Sequence, residues 1–530
     1  MILSTLLCIL SSPLAGHAAP PPAQPVVDLG YSRYRGVRLA AGVDQYLGMR
    51  YAAPPLGDLR FRVAQEPAHN STLQDASEFG LICVGTGQNV TSTRAEDCLF
   101  INVFTPSNAT THSKLPVWVF IQGGAYATNS NANYNGTQVV QESGNSIIFV
   151  NFNYRVGAFG FLAGKEVEED GDLNVGLLDQ RKALLWVKKH IRQFGGNPDH
   201  VVVHGASAGG GSVSFHLTAY GGRNDGLFVG AIPESPWWAP QVTISEAEVL
   251  YHRLLKVVGC STLACLRSAD ASAIQKANLS SPDEGSISYP SGLGKFWPVI
   301  DGDLVRDRLY ALFEQGKFIR LPLMVGSDTD EGSSFAYNAT SPTEVSLFLR
   351  SLYPHLSPEQ TQAINDAYPK TDPVPQHAEY FPSASAAFGD ATIICPGVHI
   401  SGSMASQDGY ERVWNYRYNV QDPGRIAAGL GVTHTFDLQA IFGLDYGGSV
   451  SSSMRDINAA IIAIVMNYYI SFIRTLDPNL LKADGAPFWR SWGAGERLKI
   501  QTNATMMESI SEVQQNRCDL WKRLAPVLEV

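Results

Sequence analysis

Val201-Val202-Val203-His204-Gly205-Ala206-Ser207-Ala208-Gly209-Gly210-Gly211-Ser212 joins a short apolar run to a glycine-rich turn. Three successive valines have the composition of a strand buried on both faces. The Gly-x-Ser-x-Gly that follows sets a serine on a tight strand-to-helix turn, where small neighbours let the backbone bend and the hydroxyl rises above the sheet edge. A helix starting behind Ser207 would aim its N-terminal dipole at any negative charge forming there. The pattern suits a serine nucleophile.

Working outward, residues 115–121 and 146–151 read as strands. Residues 177–193 read as a helix whose apolar face comprises Leu178, Leu184, Leu185, Val187 and Ile191, stopped by Gly195-Gly196-Asn197-Pro198. Further on, 321–325 and 412–418 have strand character, and 457–473 is a long apolar helix. Strands alternating with helices predict an α/β fold with a parallel sheet at its centre. No low-complexity linker, repeat or composition break divides the chain, so residues 26–530 are expected to form a single domain.

The first 18 residues read as a signal peptide: an apolar stretch too short to span a bilayer, ending in small residues, with Gly16 and Ala18 suited to cleavage after Ala18. No other segment is long and apolar enough to cross a membrane, so no stable membrane anchor is expected and the mature chain should be secreted. Sequons at Asn70, Asn89, Asn108, Asn135, Asn278, Asn338 and Asn503 predict a glycosylated surface. Without Cys8 of the signal, Cys83, Cys98, Cys260, Cys265, Cys395 and Cys518 remain, an even set that reads as three disulfides with fifteen possible pairings. The formal charge of −10 and the lack of a basic cluster argue against nucleic acid or an anionic membrane as partner. The acidic run Glu166, Glu168, Glu169, Asp170 and Asp172 reads as a solvated helix end.

A serine hydroxyl needs a histidine to take its proton and an acid to hold that histidine in one tautomer. When the serine stands on such a turn, acid and then histidine follow it in the chain. The downstream histidines are His355, His377, His399 and His434, of which His434 lies in the glycine-rich loop Gly429-Leu430-Gly431-Val432-Thr433-His434. Glu331 is the leading acid, in Val325-Gly326-Ser327-Asp328-Thr329-Asp330-Glu331-Gly332, with Asp328 and Asp330 as rivals that spacing leaves open. Gln122-Gly123-Gly124-Ala125 follows the strand 115–121 and is suited to present backbone N–H groups to an oxyanion. No metal-binding His-Glu-x-x-His pattern or phosphate-cradling loop occurs in the right context, so neither metal nor organic cofactor is expected.

Taken together, Gly48 to Pro55, Glu96-Asp97-Cys98-Leu99, Asn153 to Gly157, Asn174 to Gln180, Phe194 to Pro198, the serine turn and Pro298 to Gly302 carry a resemblance running from about Val26 to the C-terminus. The chain resembles the type-B carboxylesterase/lipase family, the α/β-hydrolases that include cholinesterases and fungal lipases. Within that family it is most similar to secreted filamentous-fungal esterases. The resemblance implies the α/β-hydrolase fold, a large mostly parallel sheet with antiparallel edges flanked by helices, and hydrolysis of a small-molecule ester. It implies Ser207 as nucleophile, Glu331 as acid, His434 as base and an oxyanion hole from the N–H groups of Gly124, Ala125 and Ala208. It also implies the pairings Cys83–Cys98, Cys260–Cys265 and Cys395–Cys518.

Three departures bear on substrate. Ala125 stands where many relatives have a third glycine, and Ala206 precedes the serine where cholinesterases have glutamate. The segment between Cys83 and Cys98 contains no tryptophan, so the aromatic face that choline recognition needs is missing. That segment is also too short for the long mobile lid of the family's lipases, which favours soluble or short-chain esters. Trp237 and Trp238 are candidates to line the acyl pocket. The alternatives are a long-chain triacylglycerol lipase, an esterase for one natural product, and a catalytically silent cholinesterase-like binding module.

Overall fold

The apolar runs read before and after Ser207 become strands of one sheet. A computed structural model describes residues 24–129, 133–278, 295–406, 410–493 and 495–530; the expected signal peptide lies outside them. The sheet has eleven strands: β1 (Val37–Arg38), β2 (Val43–Arg50), β3 (Phe100–Pro106), β4 (Leu115–Ile121), β5 (Ile148–Phe152), β6 (Gly196–Ala206), β7 (Gly230–Glu234), β8 (Leu323–Asp328), β9 (Val413–Tyr418), β10 (Glu496–Ile500) and β11 (Met506–Ser509). Their spatial order is β1-β2-β3-β5-β4-β6-β7-β8-β9-β10-β11. From β5 to β10 every neighbouring pair is parallel, and the pairs at both edges are antiparallel.

Burial on both faces explains the near-continuous hydrophobicity of the central strands. Along β4, Val117, Val119 and Ile121 enter one hydrophobic cluster while Trp118 and Phe120 enter the other, as the two-residue period of a strand demands. Val201 and Val203 of β6 join the first cluster and Val202 the second. Helix α1 (Val175–His190) packs on the first side and ends in a 3-10 turn, Ile191–Phe194, stopped by Gly195 at φ 90°. Helix α2 (Ala208–Gly222) follows the serine turn. Short helices α3 (Pro423–Ala427) and α4 (Leu438–Phe442) flank the His434 loop, and α5 (Ala459–Thr475) covers the second side.

Boundaries move by a few residues from the sequence reading. Strand β6 begins five residues before Val201, where its register beside β4 is irregular, and β8 runs on to Asp328. The acidic run is more than a solvated helix end: Glu166 accepts bonds from the Tyr251 hydroxyl and the Leu263 N–H, and Asp170 bridges Arg62 and Arg267. Asn278 corrects a second expectation. It is fully buried, its Nδ2 donating to Gln275 and its Oδ1 accepting from Thr86 and the Ala158 N–H, so a glycan has no room there. Asn70, Asn89, Asn108, Asn338 and Asn503 are exposed, and Asn135 is half-buried. Disulfides join Cys83 to Cys98, Cys260 to Cys265 and Cys395 to Cys518. Among the described residues no helix is long and apolar enough to cross a membrane.

Candidate active site

Ser207 sits between β6 and α2 with φ 60° and ψ −125°, a conformation non-glycine residues adopt only when their surroundings hold them there. Close approach explains the small neighbours. A methyl on Gly205 would lie 2.2 Å from the Gly209 carbonyl oxygen, and one on Gly209 2.0 Å from that of Ile121. The Ser207 N–H is tied to the Glu234 carbonyl at 3.1 Å, locking the turn to β7.

The serine hydroxyl is 2.8 Å from His434 Nε2, and His434 Nδ1 is 2.5 Å from Glu331 Oε2. Glu331 is fully buried and its other oxygen accepts two bonds of 2.7 Å, from the Ser235 hydroxyl and the Asp328 N–H. With both oxygens occupied, the carboxylate presents one fixed acceptor to the imidazole. The rivals are committed elsewhere: Asp328 accepts the Phe436 N–H and Asp330 the Val432 N–H, and burial raises both pKa values. They hold the loop that carries His434, while Glu331 is the acid that bonds its ring. Of the other histidines weighed, His399 lies against Tyr310 and Phe313, its pKa pushed down to about 4 by burial, and His377 stacks on Phe381.

Gly123-Gly124-Ala125 faces Ser207 from the end of β4. The turn is closed by Ala127 and Thr128 N–H groups bonding the Gly124 carbonyl at 2.9 and 2.8 Å, and by the Tyr126 carbonyl accepting from Gly157. Gly124 has φ 116°, and a methyl there would collide with the Thr128 carbonyl oxygen at 2.0 Å. Ala125 keeps its methyl at φ 56°. Among the described residues, the N–H groups of Gly124, Ala125 and Ala208 have no acceptor, and the first two border the space in front of Ser207. Three unspent donors around a hydroxyl are what an oxyanion requires.

That space is a cavity of about 610 Å³ with Ser207 and His434 in its wall. Trp237 lines it, touching Trp297 edge-on at 5.8 Å. Trp238 does not. Successive side chains of an extended segment point apart, and Trp238 is buried against Tyr310 and Phe313, with its indole N–H on Ser214. Sequence reasoning missed Ser235 and the lining residues Phe335, Arg425, Leu438 and Tyr446, which come from separate loops and short helices. Only the residue after Glu234, at the end of β7, carried a hint, since the next strand's acid must lie beside it.

A second polar layer lies under Ser207, His434 and Glu331. His204 Nε2 is 2.7 Å from Glu234 Oε2, and the Trp118 indole N–H donates to His204 Nδ1 at 3.2 Å. Asp437 accepts from the Tyr416 hydroxyl at 2.6 Å, and Tyr416 also bonds Tyr469. Burial holds His204 well below its ordinary pKa, raises Glu234 well above its own with Asp437 adding to the effect, and raises Asp437 to about 6.

A profile described as the carboxylesterase family matches residues 23–521. The chain is 31% identical to Lipase 1 of Geotrichum candidum over 500 residues, covering 83% of this chain and 85% of that one. It is 30% identical to Secreted lipase 1 of Botryotinia fuckeliana over 526 residues, 86% of this chain and 85% of the other. The crystal structure of Aspergillus niger EstA superposes with a TM-score of 0.94 at 55% identity, covering 96% of this chain and 99% of that chain.

Proposed function

The chain belongs to the carboxylesterase family and is a carboxylic ester hydrolase, and on that premise we propose that it is a secreted serine esterase working on soluble, short-to-medium-chain or natural-product esters through Ser207, His434 and Glu331. The observation that carries the reading is the unbroken hydrogen-bonded line from Glu331 through His434 to Ser207, ending in a cavity with unspent N–H donors. Ser207 Oγ attacks the ester carbonyl carbon as its proton passes to His434 Nε2, and Glu331 stabilises the imidazolium through Nδ1. The carbonyl oxygen becomes an oxyanion held by the N–H groups of Gly124, Ala125 and Ala208, each worth about 3–4 kcal/mol in the transition state. The carbon–oxygen bond to the alcohol then breaks as His434 returns the proton to the leaving oxygen. Water, deprotonated by His434, attacks the acyl-enzyme and releases the acid along the same path.

Short esters are supported by the tether between Cys83 and Cys98. It is pinned by Thr86 N–H on the Ala127 carbonyl and by Gly87 N–H on the Asn278 carbonyl, and no residue of it borders the cavity. A segment fastened in this way is poorly suited to swing as a lid at an oil surface. The Ala125 methyl also takes up room beside the scissile carbonyl. Relatives named as lipases supply the second reading, a long-chain lipase. Export is supported by the leader-like residues 1–18, five exposed sequons, three disulfides and a relative named as secreted. The continuous sheet from Val37 to Ser509 supports treating residues 26–530 as one working unit.

Hydrolysis of p-nitrophenyl esters from acetate to palmitate, by wild type and Ser207→Ala, tests this. We expect kcat/KM to peak at short acyl chains and to fall by about 10⁴-fold or more in the variant. A preference for emulsified long-chain esters would replace the esterase reading with the lipase one, and a variant as active as wild type would remove Ser207 from the chemistry.

A further inference from the structure

Among the described residues, the cavity in front of Ser207 has one fixed charge in its wall. Among the same described residues its lining contains no aspartate, glutamate or lysine, and Arg425 is the single arginine. Arg425 stands on α3, whose first turn is capped by Asp422 accepting the Arg425 N–H at 2.9 Å. The guanidinium lies over the Phe436 ring, 4.5 Å from its centroid, and donates through Nη1 to the Thr433 hydroxyl. Phe436 and Thr433 bracket the His434 segment, so the charge is anchored to the loop that brings the base to Ser207.

Both anchors are neutral. Among the described residues Arg425 enters no ion pair, whereas Arg417 and Arg497 share Glu508 and Arg60 is paired with Glu96. Asp422 is buried outside the cavity lining, and its oxygens are taken by the Arg425 N–H and by the Ser451 and Ser453 hydroxyls. Asp422 and Asp328 act on Arg425 through space but neither is paired with it. A guanidinium with no carboxylate in contact, facing a recess with low-dielectric walls, draws anions into it. The guanidinium fork also matches a carboxylate in shape.

We infer that Arg425 is a specificity-determining residue that binds a carboxylate of the substrate, so the preferred esters carry a second, ionised carboxyl group remote from the scissile bond. Half-esters of short dicarboxylic acids and acyl esters of short hydroxy acids belong to this class. The inference rests on the reading of Ser207 as nucleophile. A cavity of about 610 Å³ holds such a molecule whole, with its ester at Ser207 and its carboxylate on the wall that Arg425 shares with Gln439 and Tyr446.

Two substrate pairs test it: monomethyl glutarate against its terminal carboxamide, and 4-acetoxybutyrate against its carboxamide, each scored by kcat/KM. Each pair differs in charge and hardly in shape. In wild type we expect at least one pair to favour the acid by about 10-fold, with that preference fading as salt is raised. Arg425→Met should abolish the acid-to-amide ratio and Arg425→Lys should restore part of it. A merely structural role for Arg425 would slow acid and amide alike and leave the ratio unchanged. Ratios near one in wild type, or unchanged in Arg425→Met while both amides are still cleaved, would overturn the inference and leave the esterase reading intact. Failure of wild type to cleave the amides and p-nitrophenyl acetate alike would overturn both.

Discussion

Two histidine–carboxylate pairs stand close together at the carboxyl end of the sheet, and they have opposite fates. His434 with Glu331 opens on the cavity; His204 with Glu234, three positions before Ser207 and one before Ser235, is sealed with no exposed side-chain surface. The chemistry of the partners is the same and the contacts are similar, 2.5 and 2.7 Å. What separates the pairs is the second ring nitrogen. His434 Nε2 meets the Ser207 hydroxyl, which gives up its proton in the proposed mechanism, whereas His204 Nδ1 accepts from the Trp118 indole, whose proton is not available. With Nδ1 accepting, the single proton of His204 sits on Nε2 and points at Glu234. One imidazole is thus poised to take up a proton and the other is a fixed neutral donor. A histidine–carboxylate pair becomes a base through what its far nitrogen faces.

Swapping each acid for its amide tests that distinction most severely. In Glu331→Gln the side-chain NH₂ favours the tautomer that leaves Nδ1 as acceptor and turns a protonated Nε2 towards Ser207. We expect kcat on p-nitrophenyl acetate to fall by about 10⁴-fold. In Glu234→Gln the amide oxygen still accepts from His204, and kcat should change by less than about tenfold. Equal losses would mean that the sealed pair takes part in proton transfer and would break the comparison. Next in size is the effect of His204→Ala on stability. It leaves the Trp118 N–H and a Glu234 oxygen buried without partners, at about 1–3 kcal/mol each a loss of about 2–5 kcal/mol read from the urea midpoint. A loss under about 1 kcal/mol would mean that water reaches the layer and that it is not sealed.

Much of the open pair was legible in the sequence and little of the sealed one. The serine turn is written in small residues because Gly205 and Gly209 each face a backbone carbonyl at a distance no side chain tolerates. That constraint acts within a few residues, so a local pattern reveals it. Strand cores were legible for a similar reason, since burial on both faces requires continuous apolar residues. Their ends were not, because β6 is extended back to Gly196 by the pairing of Gly196 with Leu115 of β4, across an irregular stretch, and not by apolar content. His204 read as part of a buried run, and its partner lies 30 residues away on a neighbouring strand. Ser235 and Arg425 reach the site only through sheet register and loop folding. Trp238 and Asn278 misled because adjacency to Trp237 and a sequon say nothing about which way a side chain points.

The smallest effect is on acid stability, and its sign follows from the sealed imidazole. Burial holds the native pKa of His204 well below 6.5, the ordinary value it regains on unfolding. Below pH 6.5 the unfolded chain therefore carries a proton on this ring that the native protein does not. Its contribution to stability is complete above that pH and is lost as pH falls towards the native pKa, by up to about 1.4 kcal/mol per pH unit. Asp437, raised to about 6, works in the opposite direction: the native carboxyl holds its proton where the unfolded one has lost it, so its contribution is lost as pH rises through about 6. The two trends overlap in wild type and separate in His204→Phe, which keeps a ring among Trp118, Phe120, Phe442 and Tyr469 but removes the titrating nitrogen. Denaturant unfolding of this variant from about pH 6.5 to 5 should give a stability slope lower than that of wild type by up to about 1.4 kcal/mol per pH unit. An unchanged slope would mean that His204 takes up its proton in the native protein, which the Trp118 bond and complete burial oppose. The distinction between a proton carrier and a fixed donor would then fail at the residue on which it rests.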